Sequence, residues 1–144
     1  MKEIKFNTIR LKENKGHGRA RQISIRNAKY DLVALMDSDD LSVPNRFELQ
    51  LKVFKANPEI GVLGGQIIEF KDNVRNVTGM REVPLMDKEI KKYIKKRCPF
   101  NQMTIMFSKQ KVLAAGGYLD WYCDEDYYLW PVSYTHLTLP TIRL

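Results

Sequence analysis

Leu32-Val33-Ala34-Leu35-Met36-Asp37-Ser38-Asp39-Asp40 is an apolar run that ends in three carboxylates within four positions. An apolar run of this length, bounded by turn-type residues, reads as a buried strand. Carboxylates crowded at the C-terminal end of a strand repel one another and stay ionised cheaply only with a cation among them. In open α/β sheets that edge is also where ligands bind. The stretch therefore predicts a divalent metal, Mg²⁺ or Mn²⁺, holding a phosphate-bearing substrate. Asp37 and Asp39 have D-x-D spacing, and on a strand that turns sharply they can point to the same side. One carboxylate can bind the cation while another accepts a hydrogen bond from a ribose or a metal-bound water. The plainer alternative is that Asp39 or Asp40 caps the next helix.

Outward from this stretch, strands alternate with helices. Ile4–Leu11 is mixed and predicts a short strand, and Asn14-Lys15-Gly16-His17-Gly18 a turn into a helix over Arg19–Ala28 with Ala20, Ile23 and Asn27 on one side. Ser42 suits an N-cap and Pro44 a first turn. The helix Pro44–Ala56 then places Phe47, Leu51 and Phe54 on one face. Further on, Ile60–Leu63 and Gln66–Phe70 read as strands and Asp72–Gly79 as a hairpin loop. Asp87 caps a basic helix over Lys88–Arg97 with the stripe Ile90, Tyr93 and Ile94. Thr104–Phe107 is a strand, and Ser108 caps a helix over Lys109–Ala115 that stops at Gly116-Gly117. Alternation of this kind predicts an α/β fold with a mostly parallel sheet flanked by helices.

The bulk properties bound the function. The chain has 144 residues, enough for one domain or most of one, with 44% hydrophobic and 28% charged residues. No apolar stretch approaches the roughly 18–20 residues that span a bilayer, and Met1-Lys2-Glu3-Ile4-Lys5-Phe6 lacks a signal-peptide core. Two cysteines, Cys98 and Cys123, do not make a disulfide framework, and a reducing cytoplasm fits. Much of the net charge of +7 sits in Lys88, Lys91, Lys92, Lys95, Lys96 and Arg97. A charge run of this kind is ordinarily a solvated helix face. It is also suited to peripheral contact with an anionic membrane, at the inner face of the membrane in a cytoplasmic protein. Nucleic acid is not an expected partner, because no recognition motif accompanies the charge.

Two further segments carry chemistry. Asp124-Glu125-Asp126 is an acidic cluster framed by Trp121, Tyr122, Tyr127, Tyr128 and Trp130. A carboxylate among aromatics can have a raised pKa and act as a general base. Asp124 is equally suited to cap a helical turn, with Glu125 favouring its positive end. Asn14–Gln22 places Lys15, Arg19 and Arg21 near a helix N-terminus, where backbone N–H groups and arginines favour an anion or a nucleotide. An exposed basic turn would look the same.

Val132–Leu144 resembles the translation of a transposase adapter used in shotgun sequencing, followed by index sequence. The segment is set aside as a non-native tail, and His136 with it. Removing its one arginine and no acid lowers the net charge from +7 to +6.

Taken in order, the remaining motifs resemble a family 2 glycosyltransferase with the GT-A fold, of the bacterial surface-polysaccharide type. The resemblance rests on Asn14-Lys15-Gly16 with Ala20-Arg21, on Tyr30-Asp31 leading into Leu32–Asp40, and on Pro44-Asn45-Arg46-Phe47. It continues through Asn57-Pro58-Glu59-Ile60-Gly61-Val62-Leu63-Gly64-Gly65, Ala115-Gly116-Gly117-Tyr118 and Glu125-Asp126-Tyr127-Tyr128-Leu129-Trp130. It implies a partial domain over residues 1–131, truncated at both ends, and the tail at 132–144. It also implies a nucleotide-sugar donor, often UDP-linked, and a saccharide or lipid-linked acceptor. By the same resemblance Asp37 and Asp39 would hold metal and donor, and Arg21, with Lys15 beside its turn, would contact the donor. Asp126, with Glu125 beside it, would be the base of an inverting transfer. Gln22 stands where the family usually has Asn, and a base-gripping first strand and later acceptor elements are missing. The polypeptide as written is therefore expected to be poorly stable and inactive. A sugar nucleotidyltransferase would share the metal logic without needing Glu125-Asp126, and a degenerate module would bind nucleotide-sugar without turnover. If the basic run docks on membranes, the protein binds anionic vesicles in low salt and releases them in high salt. Changing Lys91, Lys92, Lys95 and Lys96 to Glu should abolish that binding in a vesicle co-sedimentation assay.

Overall fold

The computed structural model describes residues 5–120 and 127–130. Its elements are α1 (Gly16–Asn27), β1 (Leu32–Ala34), α2 (Arg46–Ala56), β2 (Val62–Leu63), β3 (Ile67–Phe70), β4 (Val77–Arg81), α3 (Asp87–Tyr93), a 3₁₀ turn (Gln102–Thr104), β5 (Met106–Ser108) and α4 (Lys109–Ala114), followed by a helical turn at 127–130. Helices and strands alternate through most of the chain, as the sequence predicts.

The direction of the strands differs from expectation. β1, α2 and β2 form a crossover unit, and the sheet order is β1-β5-β2. β5 pairs antiparallel with both neighbours, Val33 opposite Phe107 and Phe107 opposite Val62. β1 and β2 are thus parallel to each other but one strand-width apart, and the later strand fills the gap in reverse. In place of a mostly parallel sheet, the described pairings are all antiparallel, including the separate β3–β4 hairpin. β1 is also less buried than its composition suggests, because it lies at the edge of the described sheet, with Leu32 exposed and Val33 and Ala34 half-buried. The short strand expected at Ile4–Leu11 is absent over 5–11.

Period-two alternation sorts the sheet residues between two faces. Val33, Phe107 and Val62 share one row, and Ala34, Met106 and Leu63 the next. The first row joins the larger core with Ile25 of α1, Ile90 of α3, Val112 of α4, Leu129 and Trp130. The second row packs under Phe54 of α2 and Ile60. Trp130 is fully buried and meets the Phe100 and Tyr118 rings edge-on, with centroids at 5.9 and 6.1 Å. Its indole Nε1 donates to Gln102 Oε1 at 3.0 Å, and Gln102 Nε2 donates to the Tyr118 hydroxyl at 2.6 Å.

α2 turns a different face inward from the one its apolar residues suggest. Phe47 is 48% and Leu51 37% exposed, whereas Arg46, Gln50 and Phe54 are buried. The reason is hydrogen bonding: Arg46 and Gln50 reach backbone carbonyls beneath the helix, and this outweighs burying two apolar side chains more fully. Asn45 and not Ser42 precedes the helix, with no side-chain cap. The basic helix is shorter than expected and Asp87 is its first residue, pairing with Lys91 at 2.9 Å. Ser108 caps α4 as expected, its hydroxyl accepting from Lys111 N. Asp31 reinforces that cap from a distance, accepting from Ser108 Oγ and from Gln110 N, both at 2.8 Å. The Lys111 ammonium donates to the carbonyls of Pro58, Glu59 and Ile60 and so ties α4 to the entry of β2.

After α4 the chain turns at Gly116 and Gly117, both with positive φ. At Gly117 (φ +68°) a Cβ would also overlap the Gln22 side-chain amide, whose Oε1 accepts from Tyr118 N at 2.8 Å. Gly117→Ala is expected to cost about 1–2 kcal/mol from the left-handed backbone, plus the displacement of Gln22. Thermal unfolding of Gly117→Ala and of Gly117→Ala with Gln22→Ala checks this: the second change should restore part of the loss.

Candidate functional site

The carboxylate turn begins where the β1–β5 ladder stops. Leu35 N donates to Ile105 O at 2.8 Å, one residue beyond β1, and the chain then leaves the sheet. Asp40 N closes a turn onto Asp37 O at 3.4 Å, over Ser38 and Asp39. Asp37 and Asp40 are half-buried and Asp39 is exposed. The Asp40 carboxyl is held above the usual carboxylate range, first by burial and then by the negative charges of Asp39 and Asp37. Among the described residues none of the three makes an ion pair with Lys or Arg.

Behind the turn lies Arg46, only 4% exposed, with its pKa lowered by burial. Its Nη2 donates to Leu35 O at 2.8 Å and to Ile105 O at 3.3 Å, and its Nε donates to Gln50 Oε1 at 3.1 Å. Gln50 Nε2 in turn donates to Thr104 O at 2.7 Å. The Arg46 guanidinium also lies 5.2 Å from the Phe47 ring centroid. Sequence reading assigned Arg46 and Gln50 no role. Their signal was the spacing 46, 50 and 54, which puts two polar residues on the same helical stripe as Phe54.

A cavity of about 680 Å³ opens beside the turn. Asp39, Asp40 and Arg46 line it, together with Met36 and Leu41 from the turn region and Phe70 from the β3–β4 hairpin. It is large enough for a nucleotide-sugar-sized ligand. Among the described residues no three His, Cys, Asp or Glu side chains are gathered to hold a metal by themselves. A hard cation held through one or two carboxylates, with phosphate and water completing its shell, needs no such cluster. Of the two carboxylates expected to hold a metal, Asp39 lines the cavity and Asp37 does not.

The other predicted residues are placed apart from the cavity. Lys15 precedes α1 and pairs with Glu13. Asn14 Oδ1 accepts from Gly16 N at 2.9 Å, which shapes the turn into α1. Arg21 is half-buried, 6.0 Å from the Tyr118 ring centroid. Neither Lys15 nor Arg21 lines the cavity. Glu125 and Asp126 lie outside the described residues, as does the tail at 132–144.

Comparison with known proteins decides the family. The sequence profile of Glycosyl transferase family 2 matches residues 1–117. The chain belongs to this family. It is 42% identical over 128 residues to an uncharacterized glycosyltransferase of Haemophilus influenzae, covering 89% of this chain and 47% of the relative. It is 34% identical to the amylovoran biosynthesis glycosyltransferase AmsE of Erwinia amylovora (85% of this chain, 45% of that protein). It is 36% identical to the Escherichia coli UDP-Gal:alpha-D-GlcNAc-diphosphoundecaprenol beta-1,3-galactosyltransferase (83% and 43%). The chain thus spans about half the length of the curated relatives it matches. Its fold matches the crystal structure of Staphylococcus aureus TarS 1-349 with a TM-score of 0.67 at 15% identity, over 92% of this chain and 39% of that one. The α/β, GT-A expectation for this glycosyltransferase domain therefore stands, with the strand directions corrected as described.

The electrostatics of the turn have a measurable sign. A carboxyl with a raised folded-state pKa binds its proton more tightly folded than unfolded. Stability is then highest below the unfolded pKa of about 4 and falls as pH rises through the folded value. At neutral pH, ionised Asp40 weighs against the fold. Asp40→Asn should unfold at a higher temperature than the parent protein at pH 7, with the difference shrinking towards pH 4 in a thermal-melt series.

Proposed function

We propose that this chain is the donor-binding part of an inverting, metal-dependent glycosyltransferase of surface polysaccharide synthesis. It would take a sugar from a nucleotide-linked donor and pass it to a saccharide or lipid-linked acceptor. The observation that carries this reading is the repelling carboxylate turn after β1, whose Asp39 and Asp40 line a cavity. The Escherichia coli relative, named for a UDP-Gal donor and an alpha-D-GlcNAc-diphosphoundecaprenol acceptor, supports a UDP-linked donor and a lipid-linked acceptor.

In this reading Asp37 and Asp39 hold Mg²⁺ or Mn²⁺ with the donor diphosphate, and Arg21 and Lys15 contact the donor. The metal supplies positive charge where the leaving diphosphate becomes more negative. Asp126, with Glu125 beside it, accepts the proton of the acceptor hydroxyl. The acceptor oxygen forms a bond to the anomeric carbon from the face opposite the diphosphate. The bond from that carbon to the diphosphate oxygen breaks, its electrons leave with the diphosphate, and the configuration inverts. The exposed Lys88 and Lys92 of α3, and Lys95 and Lys96 just beyond it, would suit an anionic membrane surface at the cytoplasmic face, where a lipid-linked acceptor would reside.

Two substitutions in the intact protein separate binding from chemistry. Asp126→Asn should lower kcat by roughly 10²–10⁴-fold, the usual worth of a general base, while leaving Mn²⁺-dependent UDP binding intact by calorimetry. Asp39→Asn should weaken that binding itself. Transfer that survives Asp126→Asn would refute the base assignment, and UDP binding indifferent to both Mn²⁺ and Asp39→Asn would refute the metal assignment.

A further inference from the structure

The turn that carries the three carboxylates leaves the sheet after Leu35 and returns to regular structure at Arg46. One side chain joins those two ends. From the first residue of α2, the Arg46 guanidinium reaches back to Leu35 O at 2.8 Å, the last backbone group before the turn. The same Nη2 also donates to Ile105 O at 3.3 Å, the carbonyl that already accepts from Leu35 N at 2.8 Å. Arg46 Nη1 lies 3.6 Å from the sulfur of Met36, the next residue along the turn. Leu35, Ile105 and Arg46 therefore form a closed knot at the base of the carboxylate turn, with Gln50 Oε1 accepting from Arg46 Nε and Gln50 Nε2 anchored on Thr104 O.

This knot uses a costly group. Arg46 is buried, and its described hydrogen-bond partners are neutral: two carbonyls, an amide oxygen and a thioether. A well-packed apolar side chain often serves stability better than a buried charge. What an apolar residue lacks is a rigid, planar set of donors that can hold several acceptors at fixed spacing. A lysine lacks it too, because its ammonium is a point charge on a flexible stem.

We propose that Arg46 is a positioning residue for the carboxylate turn: by fastening the turn's exit to its entry and to the end of β5, it sets the geometry at which Asp37 and Asp39 meet a divalent cation. The inference rests on the metal assignment made above, and it extends the site to a residue that acts on the carboxylates through the backbone of their turn. It also accounts for why α2 buries residues 46 and 50 while Phe47 and Leu51 stay more exposed.

The test compares Arg46→Lys, Arg46→Met and Asp39→Asn with the parent sequence, all in the intact protein. Mn²⁺ affinity is read from the electron paramagnetic resonance of free Mn²⁺, and backbone order from amide hydrogen exchange, with thermal unfolding as the check on global stability. Replacing a residue that orients a metal's ligands typically weakens the metal by about 10–100-fold. Both Arg46 variants should show a loss of that size and faster exchange across residues 36–45, with Met106–Ser108 still protected. Asp39→Asn should weaken Mn²⁺ without loosening the turn's base. Arg46→Lys keeps the charge, so it carries the test if Arg46→Met fails to fold. Parent-like Mn²⁺ affinity and parent-like exchange at 36–45 in Arg46→Lys would overturn the proposal. If Asp39→Asn leaves Mn²⁺ binding unchanged, the metal assignment falls by itself, and exchange at 36–45 still decides whether Arg46 holds the turn.

Discussion

β5 is hydrogen-bonded along both edges, and its three residues are all buried. A strand in this position must satisfy its backbone groups on two sides at once, while its side chains serve two different cores. Phe107 enters the core under α1, α3 and α4, and Met106 enters the one under α2. Its flanks set what lies at either end. Ile105, just before it, accepts from the backbone of Leu35 and from Arg46. Ser108, its last residue, caps α4 with Asp31 behind it. The carboxylate turn and the start of α4 are thus positioned from opposite ends of the same short strand.

The turn itself is a compromise between opposing demands. Three carboxylates in four positions repel, and partial burial of Asp40 sharpens that repulsion. A buried guanidinium nearby is also expensive to desolvate. Yet the two are not paired with each other: Arg46 spends its donors on carbonyls, and the acids are left without a described cationic side chain. Had Arg46 neutralised the acids directly, the repulsion among them would be weaker.

Much of this was legible before any coordinates. The order of short motifs marked the family, and Ser108 was readable as a cap because N-cap chemistry is local. What escaped was non-local. No pattern in Met106–Ser108 says that it will slide between β1 and β2, since strand partners are chosen by the fold as a whole. Asp31 and Lys111 act on segments far along the chain, the one on Ser108 and Gln110, the other on the carbonyls of 58–60. Sequence reading saw Tyr30-Asp31 only as a motif and gave Lys111 no role. α2 was misoriented for a related reason: hydrophobicity ranks Phe47 and Leu51 above Arg46 and Gln50, but it does not count carbonyls waiting beneath the helix. At Ile4–Leu11 the weak apolar content was not enough to make a strand over 5–11.

The Gln102 bridge has a directional consequence. An indole nitrogen can only donate, so Trp130 fixes which end of the Gln102 amide faces it. With Oε1 so committed, Nε2 must point at Tyr118, and the Tyr118 oxygen must accept. The tyrosine's own proton is then turned away from Gln102. Polarity therefore runs one way, from indole to amide to phenol, through residues that stand on either side of 121–126. Such an ordered dipole series resists inversion, because reversing any one member would bring two donors or two acceptors face to face.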